Sequence, residues 1–370
     1  MLEDGLFNLL SGMGLFILFL LRNVIWEEIQ KLPERHVHRQ LRRLPSDERV
    51  ELEEEILAAL AAETTLGKYR LAFLHVRGHA DGNQPATSLM NELQTDLLSA
   101  AAAVQTGFTD LDELTGGLRP SDFIVIGASP GMGKTTFAMN IAEHAAIKEG
   151  RSVAVFSMKI VGDHYAQRLM SSLGRVDLSK VHTGELDDDD WPRLTAAVSI
   201  LSEAPLFIDD TPTLTPAYLR ERALRLNREH NLGLIVIDDL QLMRVPGHIG
   251  NRADKIAEIS SSLKALAKEL NVPVIALSRL NRSLELRPNK RPVMTDLMGP
   301  GAIEEAADVV MFIYRDEVYD EDSYDKGTAE IIVGKYRNGA TGMRRLTFLG
   351  RHNRFENFIA ADEYTVEDLA

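Results

Sequence analysis

Residues 123–136 read Phe-Ile-Val-Ile-Gly-Ala-Ser-Pro-Gly-Met-Gly-Lys-Thr-Thr, and no other stretch restricts the fold as strongly. The apolar run Phe123–Ile126 predicts a buried strand. A Gly-rich loop follows, and a helix is predicted from Thr135 through Ala145. That strand–loop–helix order is what a phosphate-binding loop requires. Small residues let successive backbone N–H groups converge on phosphate oxygens, and the helix N-terminus adds partial positive charge. The cradle covers Ala128, Ser129, Pro130, Gly131, Met132, Gly133, Lys134, Thr135 and Thr136. Lys134 is placed to reach the β- and γ-phosphates, and Thr135 to offer its hydroxyl to Mg²⁺. One departure is visible: Ala128 stands at the first glycine of G-x-x-x-x-G-K-[ST], with Gly127 just before it. A chance lysine in a Gly-rich turn would lack the flanking strand and helix, so the expected ligand is a nucleoside triphosphate, ATP, with Mg²⁺.

The chain has 370 residues, 45% of them hydrophobic and 26% charged, enough for one large domain and a smaller one. Its net charge of −14 rules out nucleic-acid binding by overall attraction, so any such binding needs a local basic surface. The absence of cysteine excludes disulfides, thiolate catalysis and Cys-ligated zinc, and agrees with a reducing cytoplasm.

Downstream of the loop the chain alternates strands and helices. Strands are predicted at Ser152–Ser157, Leu206–Ile208, Leu234–Ile237, Val272–Leu277, Val309–Ile313, Ala329–Val333 and Arg345–Phe348. Helices are predicted at Asp163–Leu173, after Asp187–Asp190, and from Thr215-Pro216 to His230. A further helix carries Ile256, Ile259, Leu263, Leu266 and Leu270 on one face. The fold class is therefore α/β: a mostly parallel central sheet flanked by helices, with ligands at the strand C-termini. The last strands lack intervening helices, so that edge is expected to run antiparallel. Leu234-Ile235-Val236-Ile237 ends in Asp238, a carboxylate placed to hold Mg²⁺ through water.

From about Thr106 to Phe358 the chain resembles the C-terminal, RecA-like motor domain of the DnaB-type replicative DNA helicases. The resemblance is carried by Thr106-Gly107-Phe108-Thr109-Asp110-Leu111-Asp112, Pro130–Asn140, Leu240-Gln241-Leu242-Met243 and Ile256–Leu270. It continues through Asn281-Arg282-Ser283-Leu284-Glu285, Met311–Tyr319 and Lys335-Tyr336-Arg337-Asn338-Gly339. It implies a P-loop ATPase that assembles as a homo-oligomer, a hexameric ring, hydrolyses ATP between subunits and moves on single-stranded DNA during replication. It also implies a primase or helicase loader as partner. A ring ATPase needs a cation supplied in trans at the γ-phosphate. By resemblance, Lys335 and Arg337 are that pair; the plainer reading makes them two surface cations on an edge strand.

Three positions depart from the family pattern. Family members carry a glutamate, which orients and deprotonates the attacking water, where this chain has Lys159. A lysine protonated at neutral pH can pair with phosphate but cannot act as that base. Arg279 stands where the family has a γ-phosphate-sensing glutamine. The segment Asp296-Leu297-Met298-Gly299-Pro300-Gly301 lacks the Arg and Glu of a loop that contacts DNA phosphates in the family. Gly301 then remains at the nucleic-acid surface, with Lys290 and Arg291 upstream as compensating cations. Two readings stay open: a divergent helicase using another base, such as Asp239, or a weakly or non-hydrolysing nucleotide-binding oligomer, regulatory or membrane-tethered.

The N-terminal part does not resemble the family's helical N-terminal domain. Residues 1–80 are expected to form an atypical helical region, 81–105 a linker with a docking helix, 106–358 the ATPase domain, and 359–370 an acidic tail. Leu6–Leu21 is almost wholly apolar and is followed by Lys31, Arg35, Arg39, Arg42 and Arg43. It sits at the lower length limit for a membrane span, so tethering of an otherwise cytoplasmic chain is one reading. A helix buried against a partner or neighbouring subunit, and a mis-assigned start, are the others.

Overall fold

The computed structural model describes residues 102–247 and 251–359. The chain divides into two units, 1–102 and 103–370, and the described residues fall almost wholly in the second. The expectations for residues 1–101, including the apolar segment 6–21, and for the tail after 359 lie outside the described residues. Among the described residues, no helix is long and apolar enough to cross a membrane.

Helix α1 (Thr109–Thr115) precedes β1 (Phe123–Ala128), which runs through the phosphate loop into α2 (Lys134–Ile147). Then come β2 (Ser152–Ser157), α3 (Gly162–Gly174), α4 (Leu178–Thr183), α5 (Asp190–Glu203), β3 (Leu206–Asp209) and α6 (Pro216–His230). They are followed by β4 (Leu232–Asp238), α7 (Arg252–Leu270), β5 (Val274–Arg279) and α8 (Pro300–Ala306). The chain closes with β6 (Val309–Tyr314), β7 (Thr328–Tyr336), β8 (Gly342–Leu349) and β9 (Arg354–Asn357).

These strands form one sheet in the order β3-β2-β4-β5-β1-β6-β7-β8-β9. Pairing is parallel from β3 to β6 and antiparallel from β6 to β9, in line with the lack of late helices in the sequence. Strand β1 is buried along its whole length because both faces are covered. Ile124 and Ile126 enter one core, and Phe123 and Val125 the other. That two-sided burial is why it reads as a continuous apolar run rather than an alternating one. Helix α6 starts as expected: Pro216 occupies its first turn, and the Thr215 hydroxyl accepts from the Tyr218 N–H at 3.2 Å.

Four elements lie outside the sequence expectations: α1, α4, α8 and β9. Helix α8 bears on the site expectations, because the segment ending at Gly301 is not wholly loop. Pro300 opens the helix at a position where its missing N–H costs nothing, and Gly301 lies exposed in the first turn. Strand β9 matters for another reason. Its Phe355 packs beneath the phosphate loop, edge-on to Phe137 at 5.5 Å and against Phe348 at 4.7 Å, while Phe137 stacks on Phe108 at 5.2 Å. Such pairs each contribute about 0.5–1.5 kcal/mol beyond their burial, so the loop rests on a rigid floor.

Candidate nucleotide-binding site

The phosphate loop follows the C-terminal end of β1, between β5 and β6, where an open α/β sheet presents ligands. Its backbone depends on glycine. Gly133 has φ +92°, and a Cβ there would lie 2.8 Å from the Phe355 ring. Gly131 has φ +82°. The loop is also tied down by Arg315, at the end of β6. Its Nη1 donates to the Gly131 carbonyl at 2.9 Å, its backbone N–H reaches Met132 Sδ at 3.3 Å, and its guanidinium lies 3.7 Å over the Phe348 ring.

A cavity of about 430 Å³ opens over the loop. Ala128, Ser129, Pro130, Gly131, Gly133, Lys134, Thr135 and Thr136 line it on the loop side. Lys159, Arg168, Asp239, Arg279 and Phe348 complete it. Lys134 is largely buried, and burial lowers its pKa against the opposing pull of Asp239 and Asp238. Its Nζ lies 3.6 Å from Asp239 Oδ1.

The donor set suits Mg²⁺. Thr135 Oγ1 donates to Asp238 Oδ2 at 2.9 Å, which brings a hydroxyl and a carboxylate from separate elements to one point. Asp238 Oδ1 is buried with no hydrogen-bond donor, and burial raises the carboxyl pKa despite Thr135 and Lys134. A hard divalent cation beside these oxygens would satisfy the orphaned acceptor.

Two loop residues serve differently from the expectation. Met132 is 1% exposed, with its side chain in the core, so only its backbone can meet a phosphate. The Thr136 hydroxyl donates to Asn353 Oδ1 at 2.7 Å.

Two of the positions singled out in the sequence, Lys159 and Arg279, converge on this cavity. Lys159 lies on an exposed turn after β2, held by Ser157, whose hydroxyl donates to the Ile160 carbonyl at 2.7 Å and accepts from its N–H at 3.1 Å. Arg279 ends β5 beside Ala128 in the sheet register. Its Nε donates to Asp239 Oδ2 at 2.6 Å, and its backbone N–H donates to Gln241 Oε1 at 3.1 Å. Arg168 is an addition to the expected set. Its only sequence signal is that α3 begins three residues after Lys159 and carries it back over the loop.

The remaining predicted residues lie elsewhere. Lys335 pairs with Val310 near the start of β6, and Arg337 donates its backbone N–H to Asp308 just before β6. Strand β6 has six residues, roughly 17–20 Å, so these cations stand at the end of the sheet opposite the phosphate loop. Lys335 Nζ donates to the Glu304 and Ala307 carbonyls, while Arg337 meets the Glu305 carbonyl at 3.4 Å and Asp308 Oδ1 at 3.5 Å.

Arg291 is not a free cation. Its Nε and Nη2 each reach a Glu330 carboxylate oxygen at 2.7 Å, and its guanidinium covers the Tyr314 ring at 4.8 Å. Lys290 donates to the Glu285 and Arg287 carbonyls, both at 3.1 Å.

Residues 103–357 match the family described as DnaB-like helicase C terminal domain. The chain belongs to that family. The DnaB-like assignment agrees with its relatives. It is 52% identical over 278 residues to the replicative DNA helicase DnaB of Pasteurella multocida, covering 74% of this chain and 59% of that protein. The corresponding protein of Haemophilus influenzae is 52% identical over 269 residues, covering 72% of this chain and 58% of that one. The chain thus spans less than two thirds of the length of the curated DnaB relatives it matches. Among solved structures, an ATPase domain superposes with a TM-score of 0.70 at 30% identity, covering 75% of this chain and all of that one. A DnaB-like replicative helicase solved to describe its interactions with primase gives 0.70 at 27% identity, over 88% of this chain and 80% of that chain.

Proposed function

We propose that this chain is the motor of an ATP-dependent DNA helicase, coupling ATP hydrolysis at subunit interfaces to movement along single-stranded DNA. The observation that carries the reading is the meeting of Lys134, Thr135 and Asp238 over a Gly-dependent loop. Lys134 would bind the β- and γ-phosphates. Thr135 and Asp238 would hold Mg²⁺, which when bound supplies positive charge that offsets phosphate charge. Arg279 would reach the γ-phosphate from β5.

Lys335 and Arg337 cannot reach their own phosphate loop across the sheet. That separation supports their assignment as the pair acting on a neighbour's ATP, and with it a closed homo-oligomeric ring, a hexamer by family resemblance. A primase or a loader is the expected partner, and the cytoplasm the expected compartment. Lys290 and the exposed turn at Gly301 are the proposed DNA contacts, with Arg291 joining only on leaving Glu330. Residues 1–80 and 81–105 are assigned as an atypical helical region and a linker whose helix docks on the next subunit. Comparing the membrane fraction of the full chain with that of a chain starting at Ser46 tests the anchoring reading of residues 6–21.

The deciding experiment is ATP turnover by the purified full chain with and without single-stranded DNA. Stimulation by DNA is expected. ATP binding with no turnover would sink the motor assignment and leave a nucleotide-gated oligomer.

A further inference from the structure

The phosphate cavity contains four cationic side chains, Lys134, Lys159, Arg168 and Arg279, and among the described residues lining it Asp239 is the one carboxylate. Asp239 follows the metal-site Asp238 directly, is 1% exposed, and faces the space that the γ-phosphate would enter from the loop. Its two oxygens are in different situations. Oδ2 accepts from Arg279 Nε at 2.6 Å, whereas Oδ1 has Lys134 Nζ at 3.6 Å and no hydrogen-bond donor.

We propose that Asp239 supplies the carboxylate missing at position 159, and that Arg279 latches it until the γ-phosphate arrives. The proposal rests on the ATPase reading and names the group that acts on water within it. The physical case has two parts. Hydrolysis needs a group that orients water in line with the γ-phosphorus, and Lys159, a cation on an exposed turn, cannot accept a proton from it. Asp239 is the remaining acceptor inside the cavity.

The second part is the competition for Arg279. The pair is a charge-assisted hydrogen bond between a buried carboxylate and a half-exposed guanidinium, and a triphosphate carries more negative charge than one carboxylate. Arg279 ends a strand that lies beside Ala128 and lines the same cavity as the loop, so its guanidinium is placed to exchange Asp239 for the γ-phosphate. The transfer frees Oδ2. A water held by Asp239 then attacks: its oxygen bonds to the γ-phosphorus as the bond from that phosphorus to the bridging oxygen breaks. The electron pair of the broken bond leaves with ADP, and the water proton passes to Asp239, which gives it up to solvent after phosphate departs. The latch keeps the carboxylate occupied in a subunit that has no γ-phosphate.

The test is Asp239→Asn in the full chain. ATP turnover is measured with poly-dT present, and affinity is read separately with a fluorescent ATP analogue and a fluorescent ADP analogue. Turnover should fall at least about 100-fold, the low end of what a positioned proton acceptor contributes. Affinity for both analogues should hold or tighten, because the group competing for Arg279 loses its negative charge. Turnover within about threefold of the parent would overturn the proposal and leave the ATPase reading standing. A loss of analogue affinity beyond about tenfold would also overturn it, since Asp239 would then be shaping the pocket. No turnover by the parent chain would remove the ATPase reading and the proposal together.

Discussion

Lys335 Nζ donates to the Ala307 carbonyl oxygen at 2.5 Å, closing the C-terminal end of α8. The contact has a physical cause: a helix leaves its last carbonyls unpaired, and a cation there meets the negative end of the helix dipole. Burial lowers the Lys335 pKa, with Arg337 adding to the shift. Two cations reading as an interface pair are therefore engaged within their own subunit, some distance from any phosphate. Their proposed action in trans can be separated from binding in cis. Lys134→Ala should abolish ATP binding, and Lys335→Ala should leave it intact while removing turnover. Mixing the two inactive variants should recover part of the turnover, because some interfaces then pair an intact loop with an intact cation. If no mixture regains activity, Lys335 does not act in trans.

Lys159→Glu places a carboxylate where the family resemblance leads one to expect it. The turn is exposed and held by Ser157 through backbone contacts, so the substitution should not disturb folding. Turnover should rise on the order of tenfold at saturating ATP. A fall, measured by phosphate release, would show that position 159 is not a vacated base.

The Arg291–Glu330 pair gives a stability prediction. Glu330 is 7% exposed, so Arg291→Ala leaves a buried carboxylate without its partner, a cost of about 1–3 kcal/mol. Thermal melting should show it, and adding Glu330→Gln should recover most of the loss. If Arg291→Ala instead weakens single-stranded DNA binding with no change in melting, the arginine is a DNA contact.

Asp122 gives a pH prediction. Burial, reinforced by Asp308, raises its pKa to about 6, against Lys264, Arg119 and Arg337. A carboxyl whose folded pKa is raised contributes stability below its unfolded value of 3.8 and loses it as pH climbs through about 6. Asp122→Asn should therefore leave melting unchanged near pH 4 and raise it above pH 7, by at most about 3 kcal/mol. Equal stabilisation at both pH values would show that the ionised carboxyl carries no such cost.

What the sequence makes legible follows from where the information lies. Phe123–Ile126 and Leu234–Ile237 read as buried strands because both faces are covered, which forces continuous apolar runs. Lys134, Thr135 and Asp238 are legible because their chemistry is carried by residue type within a short motif or at a strand end. Strand β9 is not, since its single core residue, Phe355, has no periodic neighbours and is fixed by packing under Gly133. Helix α8 is hidden by Gly299-Pro300, which reads as a loop and is in fact a helix start. The Arg279–Asp239 pair joins the ends of two strands that are distant in sequence, so neither residue signals the other. Arg291 reads as a free cation for the same reason: Glu330 meets it only once the chain has folded.

The length of the strands has a further consequence. On the proposed assignment of Lys335 and Arg337 to a neighbour's ATP, it acts as a spacer that leaves every subunit holding halves of two different sites, a loop at one end and a cation pair at the other. A subunit alone would then be chemically incomplete however well it folds. Turnover should rise more steeply than linearly with protein concentration until assembly saturates, and dilution alone should act as an off switch.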